Sequence, residues 1–293
     1  MYKNKELTGI SWMILHCFVI SNIVIIAKIL GNLGYNPFQI IFFHSFIAFL
    51  IILPFAIRKY GKDILKTQCL NAHLNRAFLG VISLLIYFFS LKFVNLNDAR
   101  AIALFNPILT FIFGIFLLKE NVNNRKAIAL IISLIGGLVI INPSSPSFHP
   151  ALFLIIIAMF MWSIIDMAIK KISKTESNVK QMLFLTLLSS LFCLIPTILY
   201  WKNPVSIHEI SLLILMGVLF VINVTAVFLA FKNSEVTTIM PFDFSGMIFT
   251  TILTYFIFNE VINFNIALGS IIIFGSSLYL IFHEKRKSRN LIQ

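Results

Sequence analysis

Charged residues are scarce in this chain, and their scarcity excludes most soluble architectures. Asp, Glu, Lys and Arg make up 12% of the 293 residues, whereas 59% are apolar and the mean hydropathy is +0.96. Soluble globular domains carry about 25% charged residues. A soluble core cannot bury so large an excess of apolar side chains, because part of that excess would have to face water. The composition therefore predicts an integral membrane protein.

Cysteines and clustered catalytic side chains are also lacking. The three cysteines, Cys17, Cys69 and Cys193, are isolated in sequence, so they form neither a disulfide framework nor a metal-ligand pattern. The six histidines are scattered, and no H-E-x-x-H, G-x-S-x-G or phosphate-binding glycine-rich pattern occurs. These absences disfavour a membrane-embedded enzyme and a pump that hydrolyses ATP by itself. They predict no enzyme, no metal site and no cofactor.

Long apolar runs separated by short charged segments take up most of the chain. A bilayer core requires about 20 apolar residues per helix, and ten runs approach that length. They are residues 9–30, 37–57, 75–95, 99–118, 126–142, 151–169, 180–200, 211–231, 236–258 and 264–283. The third and fifth are the weakest, since fifteen residues separate Arg76 from Lys92 and the fifth stops at Pro143. The predicted fold is all-α with ten transmembrane helices, and nine is the alternative count.

The distribution of positive charge favours ten helices. With a cytoplasmic N-terminus, the ten-helix chain places all but four of the 23 Lys and Arg residues in cytoplasmic segments, the four being Lys28, Lys92, Arg100 and Lys202. Cytoplasmic loops of membrane proteins carry such an excess of basic residues. This predicts an inner-membrane, multi-pass protein with both termini cytoplasmic. The same rule accounts for the net charge of +12, so the predicted contacts are lipid and a small-molecule substrate rather than nucleic acid, with no prediction of the oligomeric state.

The chain also contains a weak internal repeat. The segment NPSSPSFHP at 142–150 has three prolines and divides the sequence into residues 1–142 and 150–284, followed by a basic tail at 285–293. Near its end each half has a proline, an apolar run and a glutamate: Pro107 and Glu120 in the first, Pro241 and Glu260 in the second. Five spans per half is an odd number, so the second half must enter the membrane in the opposite direction. Inverted repeats of this kind are typical of secondary transporters.

A known family matches these features. The stretches NPILTFIFGIFLLKENV (106–122) and PFDFSGMIFTTILTYFIFNEVI (241–262) resemble the repeat ends of the EamA-type branch of the drug/metabolite transporter superfamily. The resemblance covers essentially the whole chain and implies a secondary transporter that works by alternating access. The chain departs from the family pattern where a glycine usually precedes the glutamate, because Lys119 and Asn259 stand there.

Within that branch, length and composition are similar to those of S-adenosylmethionine carriers of obligate intracellular bacteria. That resemblance implies uptake of S-adenosylmethionine, in exchange for S-adenosylhomocysteine. The same architecture serves exporters of drugs or amino acids equally well, and a channel is a further alternative that lack of saturation and counterflow would reveal. The sequence leaves the direction of transport open.

Two carboxylates inside the apolar runs are candidate substrate ligands. A charge at membrane depth costs at least about 2.5–3.5 kcal/mol. Asp166 lies four residues after Trp162, on the same face of a helix, and Asp243 follows Pro241. Acids beside aromatic rings suit a cationic substrate. The structural alternatives are that Asp166 pairs with Lys170 one turn along the helix, and that Asp243 caps a helix.

Other polar and aromatic residues inside the runs complete the predicted substrate site. Tyr87 and Trp162 are predicted to stack on an aromatic group, and Asn106, beside Pro107, to mark a locally unwound helix. His16 and His44 are candidates for proton transfer. For such residues, hydrogen bonding between helices is the competing interpretation. The full predicted set is Asp166, Trp162, Asp243, Tyr87, Asn106, His16 and Asn223.

Overall fold

The described part of the chain is entirely helical. The computed structural model describes residues 5–67, 69–94, 99, 102–103, 105–120, 122, 124–141, 150–258 and 264–290. We number its α-helices in chain order. They are α1 Lys5–Asn32, α2 Pro37–Tyr60, α3 Leu70–Ser90, α4 Phe105–Leu118, α5 Asn124–Ile141, α6 Ala151–Ile172, α7 Asn178–Leu199, α8 Ile207–Asn233, α9 Val236–Asp243, α10 Ser245–Phe258 and α11 Phe264–Asn290.

Each of the ten predicted runs overlaps one described helix or, in the ninth, two consecutive helices. Within the described residues, seven segments are long and apolar enough to cross a membrane, with α9 and α10 counted as one segment, and α4 and part of α11 are shorter apolar helices. Many large apolar side chains, such as Phe55, Phe116 and Ile195, are exposed on the outside. A lipid-facing surface requires this pattern. The prediction of an all-helical, multi-pass membrane protein is confirmed.

Some predicted landmarks fall elsewhere or outside the described residues. Glu260, the linker at 142–149 and the last residues 291–293 lie outside the described part of the chain. Helix α11 continues to Asn290, so most of the segment predicted as a basic tail is a helical extension.

The helices pack mainly against helices of the other half of the chain. The principal pairs are α1 with α8, α3 with α6, α2 with α7, α5 with α11, α2 with α8, α3 with α7, α1 with α10, α4 with α6 and α4 with α9. The counterparts in the two halves are α1 and α6, α2 and α7, α3 and α8, α4 and the pair α9 and α10, and α5 and α11. Replacing each helix by its counterpart converts α1·α8 into α6·α3, α2·α8 into α7·α3, and α1·α10 into α6·α4. The pairs α2·α7, α5·α11 and α4·α9 convert into themselves. The principal helix pairs of the described chain are therefore preserved when its two halves are exchanged.

A break in the ninth span lies beside α1. Helix α9 ends at Asp243 and α10 starts at Ser245, two residues further on. The Cys17 Sγ atom lies 3.6 Å from each of the Phe242 and Asp243 carbonyl oxygens, so its one proton can be donated to either, and Ser21 Oγ donates to the Gly246 carbonyl in the first turn of α10 at 3.0 Å. Without water, carbonyls freed by a helix break need such partners from neighbouring helices. Side chains of α1 therefore stabilise the interruption.

The glutamate that ends the first repeat motif caps the helix that begins the ninth span. Glu120 accepts hydrogen bonds from the Val236 and Thr237 amides, both at 2.9 Å, and from Thr237 Oγ1 at 3.0 Å. These amides have no acceptor within their own helix, and a carboxylate also suits the positive end of the helix dipole. Glu120 therefore has a structural role.

The residue before Glu120 explains the family preference for glycine. Lys119 has φ = +53°, the only positive φ of a non-glycine residue in the described chain, and the Glu120 amide then donates to the Gly114 carbonyl at 3.2 Å. This conformation costs an L-residue with a Cβ atom about 1–2 kcal/mol, whereas glycine adopts it freely. The departure at Lys119 is therefore a strained position.

Lys119→Gly should stabilise the protein by about 1 kcal/mol, because it removes this strain. Lys119→Ala is the matched control, since it removes the same charge but keeps the Cβ atom. We expect the glycine variant alone to unfold at higher temperature in detergent micelles. Equal midpoints for the two variants would contradict the explanation.

Two glycines that the sequence suggests for close packing differ in their surroundings. A Cβ atom on Gly136 of α5 would lie 2.8 Å from Ile273 Cγ1 and 2.9 Å from the Gly269 carbonyl oxygen of α11. A Cβ atom on Gly275 of α11 has no described atom within 4 Å. Small residues allow membrane helices to approach closely, and of these two glycines only Gly136 has this role.

Gly136→Ala should therefore destabilise the protein by about 1–3 kcal/mol, the usual cost of overpacking. Gly275→Ala is the control and should have little effect. The measurement is thermal unfolding of the two purified variants beside wild type. A larger loss for Gly275→Ala would show that the contact between α5 and α11 differs from the one described.

Candidate functional site

A cavity of about 210 Å³ lies between the two halves. Its walls come from α1, α2, α3, α4, α6, α7, α8, α9 and α10. All seven residues of the predicted site line it, namely Asp166, Trp162, Asp243, Tyr87, Asn106, His16 and Asn223. Residues as far apart in sequence as His16 and Asp243 are thus brought to one place, as a polar pocket in an apolar membrane protein requires.

Asp166 is held in position by α4 and by its own helix. Its Oδ2 accepts a hydrogen bond from Thr110 Oγ1 at 3.0 Å and a longer one from Asn106 Nδ2 at 3.5 Å. Ser163 Oγ donates to Asn106 Oδ1 at 3.0 Å, which fixes the amide so that its NH₂ group faces the carboxylate. Asp166 is 8% exposed, so these bonds replace most of the water around it.

The predicted alternative partner of Asp166 is engaged elsewhere. Lys170 Nζ donates to the Phe231 carbonyl at 2.6 Å and to the Ser234 carbonyl, at the end of α8. These carbonyls lack N–H donor partners within the helix, and a cation there also suits the helix dipole. Asp166 therefore has no helix-surface ion pair, and its carboxylate faces the cavity.

Asp243 and His16 form a second polar group. His16 Nδ1 lies 2.7 Å from Asn223 Oδ1, and its Nε2 lies 3.9 Å from Asp243 Oδ1. Because the amide oxygen can only accept, Nδ1 carries the proton and Nε2 faces the carboxylate. Asp243 Oδ1, at 3.5 Å, is a further possible acceptor for the single proton of the Cys17 thiol. Asp243 is the last residue of α9, so the helix break places it on the cavity wall.

Aromatic rings form another part of the wall. Tyr87 and Trp162 meet edge to face with ring centroids 6.3 Å apart, an arrangement that such pairs prefer. Asn106 and Pro107 lie in the first turn of α4, where a proline costs no hydrogen bond. The expected unwinding is therefore not seen in the described residues of α4, and Asn106 acts through its side chain.

Sequence reasoning missed one charged residue of the wall. Arg76, counted among the cytoplasmic basic residues, lies in the second turn of α3 and lines the cavity. Gly80, Leu84 and Tyr87 line it too, and their spacing of four, four and three residues puts Arg76 on the same helix face. That spacing was the available signal. Because the predicted third span started at residue 75 and α3 starts at residue 70, Arg76 stood at the edge of the prediction and its helix face was overlooked.

Comparison with known proteins identifies the family. A model of the EamA-like transporter family matches the chain twice, at residues 7–142 and 149–282. The chain belongs to the EamA-like transporter family. A solved crystal structure with 16% sequence identity superposes with a TM-score of 0.79 and covers 97% of this chain and 98% of its own. It shares the fold.

Curated EamA relatives carry different substrates. The chain is 27% identical over 280 residues to the "S-adenosylmethionine uptake transporter" of Rickettsia conorii. The aligned region covers 96% of this chain and 94% of the relative. It is 26% identical over 291 residues to the "Riboflavin transporter" of Vibrio cholerae, with 98% and 97% covered. A "Pseudopaline exporter" of Pseudomonas aeruginosa is 23% identical over 215 residues, with 72% and 74% covered. Family membership therefore establishes transport but not the substrate.

A buried polar network joins α3 to the α6–α7 connection of this EamA protein. His73 Nε2 lies 2.9 Å from Glu176 Oε2, with both side chains buried, and Thr67 Oγ1 also donates to Glu176. Burial alone raises the pKa of Glu176, but the hydrogen bonds from Thr67 and His73 outweigh it and hold the pKa below its usual value. The ionised carboxylate therefore stabilises this end of the cavity.

Glu176→Gln should lower the stability by about 1–3 kcal/mol at neutral pH, the contribution of hydrogen bonds to a charged group. A depressed pKa stabilises the fold above the unfolded value of about 4.3, and this contribution is lost as pH falls through the folded pKa. Unfolding midpoints of wild type and variant, measured in detergent from pH 7 to pH 3, should therefore converge at low pH. Thr67→Val should give a smaller effect of the same sign. A constant difference across this range would mean that the carboxylate charge is not responsible.

Proposed function

We propose that this EamA protein is a secondary transporter of the inner membrane that takes up S-adenosylmethionine by alternating access, in exchange for S-adenosylhomocysteine. The observation that carries this proposal is the cavity, in which two carboxylates and an aromatic pair lie between the halves of the chain. The similarity to S-adenosylmethionine uptake transporters of Rickettsia supports it. We propose no enzymatic activity, in agreement with the relatives described above, which are named as transporters or exporters.

The proposed architecture is ten transmembrane helices in two inverted repeats, residues 1–142 and 150–284, with a cytoplasmic segment at 285–293. The pairwise packing supports it, because exchanging the repeats preserves the principal helix pairs. In such transporters the two repeats rock about a site near the membrane midplane. The distribution of basic residues supports placing both termini in the cytoplasm.

The charge of the cavity supports a cationic substrate. Asp166 and Asp243 lie on α6 and α9, at different parts of the wall. A sulfonium or ammonium group between them would regain in electrostatic attraction what it loses in hydration. Trp162 and Tyr87 add ring surfaces suited to a planar base or to a cation–π contact. S-Adenosylmethionine combines a sulfonium, an ammonium and an adenine ring.

Export of a drug-like or amino-acid substrate is the alternative within transport. The pseudopaline exporter among the relatives supports it, because the same fold can serve either direction. A transport assay in both directions separates the two. Saturable, counterflow-sensitive flux also separates a carrier from a channel.

Uptake of radiolabelled S-adenosylmethionine into cells that express the protein tests the proposal. We expect saturable uptake that excess S-adenosylhomocysteine blocks and that Asp166→Asn lowers by about tenfold or more, since a lost charge-assisted contact is worth about 1.5–3 kcal/mol. Asp63→Asn is the matched control, because that carboxylate is exposed and pairs only with Lys66 at 2.6 Å.

Membrane levels of each variant must equal those of wild type. Uptake no greater than in cells with empty vector, from protein present in the membrane, would reject S-adenosylmethionine. Efflux of a preloaded amino acid or drug from the same cells would then favour the exporter.

A further inference from the structure

Arg76 is a charged group that neither the helix packing nor the cation site explains. It is 4% exposed, lies in the second turn of α3 and lines the cavity. Burying a guanidinium inside a membrane protein is costly unless its charge and its donors are satisfied. Such residues generally mark a substrate path.

The partners of Arg76 leave part of its guanidinium unused. Nη1 donates to Gln181 Oε1 at 3.0 Å, which ties the group to α7. No described residue accepts a hydrogen bond from Nε. The neighbouring acid Glu176 is occupied by His73 and Thr67. Within the described chain, no carboxylate lies within ion-pairing distance of Arg76, and Gln181 contributes no charge.

Asp166, an acid that also lines the cavity, is held apart from Arg76. Asp166 is hydrogen-bonded to Thr110 and Asn106, and its carboxylate and the guanidinium make no direct ion pair among the described residues. Both groups therefore face the same cavity with separate supports. An arginine without a direct ion pair among the described residues can bind the carboxylate of another molecule.

We propose that Arg76 binds the carboxylate of the transported molecule, so that the site selects substrates with an α-amino acid end. This inference deepens the proposed function and rests on it. The planar guanidinium matches a carboxylate through two parallel N–H donors. Gln181 fixes the orientation of the fork, and Nε is a buried donor with no acceptor among the described residues.

The charges of the cavity then match those of one class of substrate. With neutral histidines, the wall offers two carboxylates, Asp166 and Asp243, and one guanidinium. A sulfonium-bearing amino acid offers two cations and one carboxylate. Arg76 shares its helix face with Tyr87, which contacts Trp162, so the amino-acid end and an aromatic end of the same molecule would both have a surface to bind.

A pair of ligands that differ only in the carboxylate tests this assignment without any mutation. S-Adenosylmethionine and its decarboxylated analogue keep the same sulfonium, amine and adenine. We expect the analogue to compete for uptake about ten- to hundredfold more weakly in wild type, the value of a hydrogen bond to a charged group. Equal competition by both would overturn the inference.

Arg76→Gln should remove this preference. The variant is expected to lose about ten- to hundredfold in affinity for S-adenosylmethionine and to keep its affinity for the decarboxylated analogue. Arg76→Lys retains the charge without the fork and should fall between the two. A proportional loss for both ligands in either variant would indicate a structural role and contradict the proposal.

A further experiment distinguishes rejection of S-adenosylmethionine as the substrate from rejection of Arg76 as the carboxylate ligand. If wild type takes up no S-adenosylmethionine, the proposed function is wrong, but the purified protein can still be tested by thermal stabilisation with methionine and 3-methylthiopropylamine, which again differ by one carboxylate. Stabilisation by methionine alone, lost in Arg76→Gln, supports the carboxylate site. Stabilisation by neither compound, or by both equally, overturns it.

Discussion

Within a lipid bilayer, a polar atom without a partner has no water to replace that partner, and this constraint accounts for much of the structure. The break between α9 and α10 exposes carbonyls that Cys17 and Ser21 of α1 cover. The start of α9 exposes amides that Glu120 covers. The end of α8 exposes carbonyls that Lys170 covers. In each case a side chain from another helix satisfies a helix end, so the polar requirements of one element position its neighbours.

The same constraint shapes the cavity. Three of the ionisable groups on its wall have hydrogen bonds that hold them in place. Thr110 and Asn106 hold Asp166, Asn223 holds His16, and Gln181 holds Arg76. A site prepared in this way needs little rearrangement when a charged molecule enters, and preorganised dipoles and charges are the usual source of selectivity in a site of low dielectric constant.

Hydrophobic runs and charge clusters were sufficient to predict the helical membrane fold, and the seven residues predicted for the site all line the cavity, while their role in binding stays a prediction. That success has a physical basis, because a polar side chain inside a long apolar run is costly and has few possible locations other than an interior cavity. Three features could not be read from the sequence. Lys170 was expected to pair with Asp166, since helix periodicity reports only neighbours on the same helix, and the competing carbonyls of α8 are 61 and 64 positions away. Arg76 stood at the start of the predicted third span and was counted among the cytoplasmic basic residues, because helix ends are poorly defined by hydropathy. The contrast between Gly136 and Gly275 depends on which helix faces each glycine.

The interleaved packing has a consequence for how the protein is made. A ribosome delivers α1 to α5 before any of the second half exists, yet α1, α2 and α3 pack chiefly on α6, α7, α8 and α10. The first five spans must therefore wait in the bilayer as inserted helices whose cavity-facing side chains, including Arg76 and His16, have not yet met Gln181 and Asn223. Insertion and assembly are separate stages here, and biogenesis of this transporter remains incomplete until the last helices arrive.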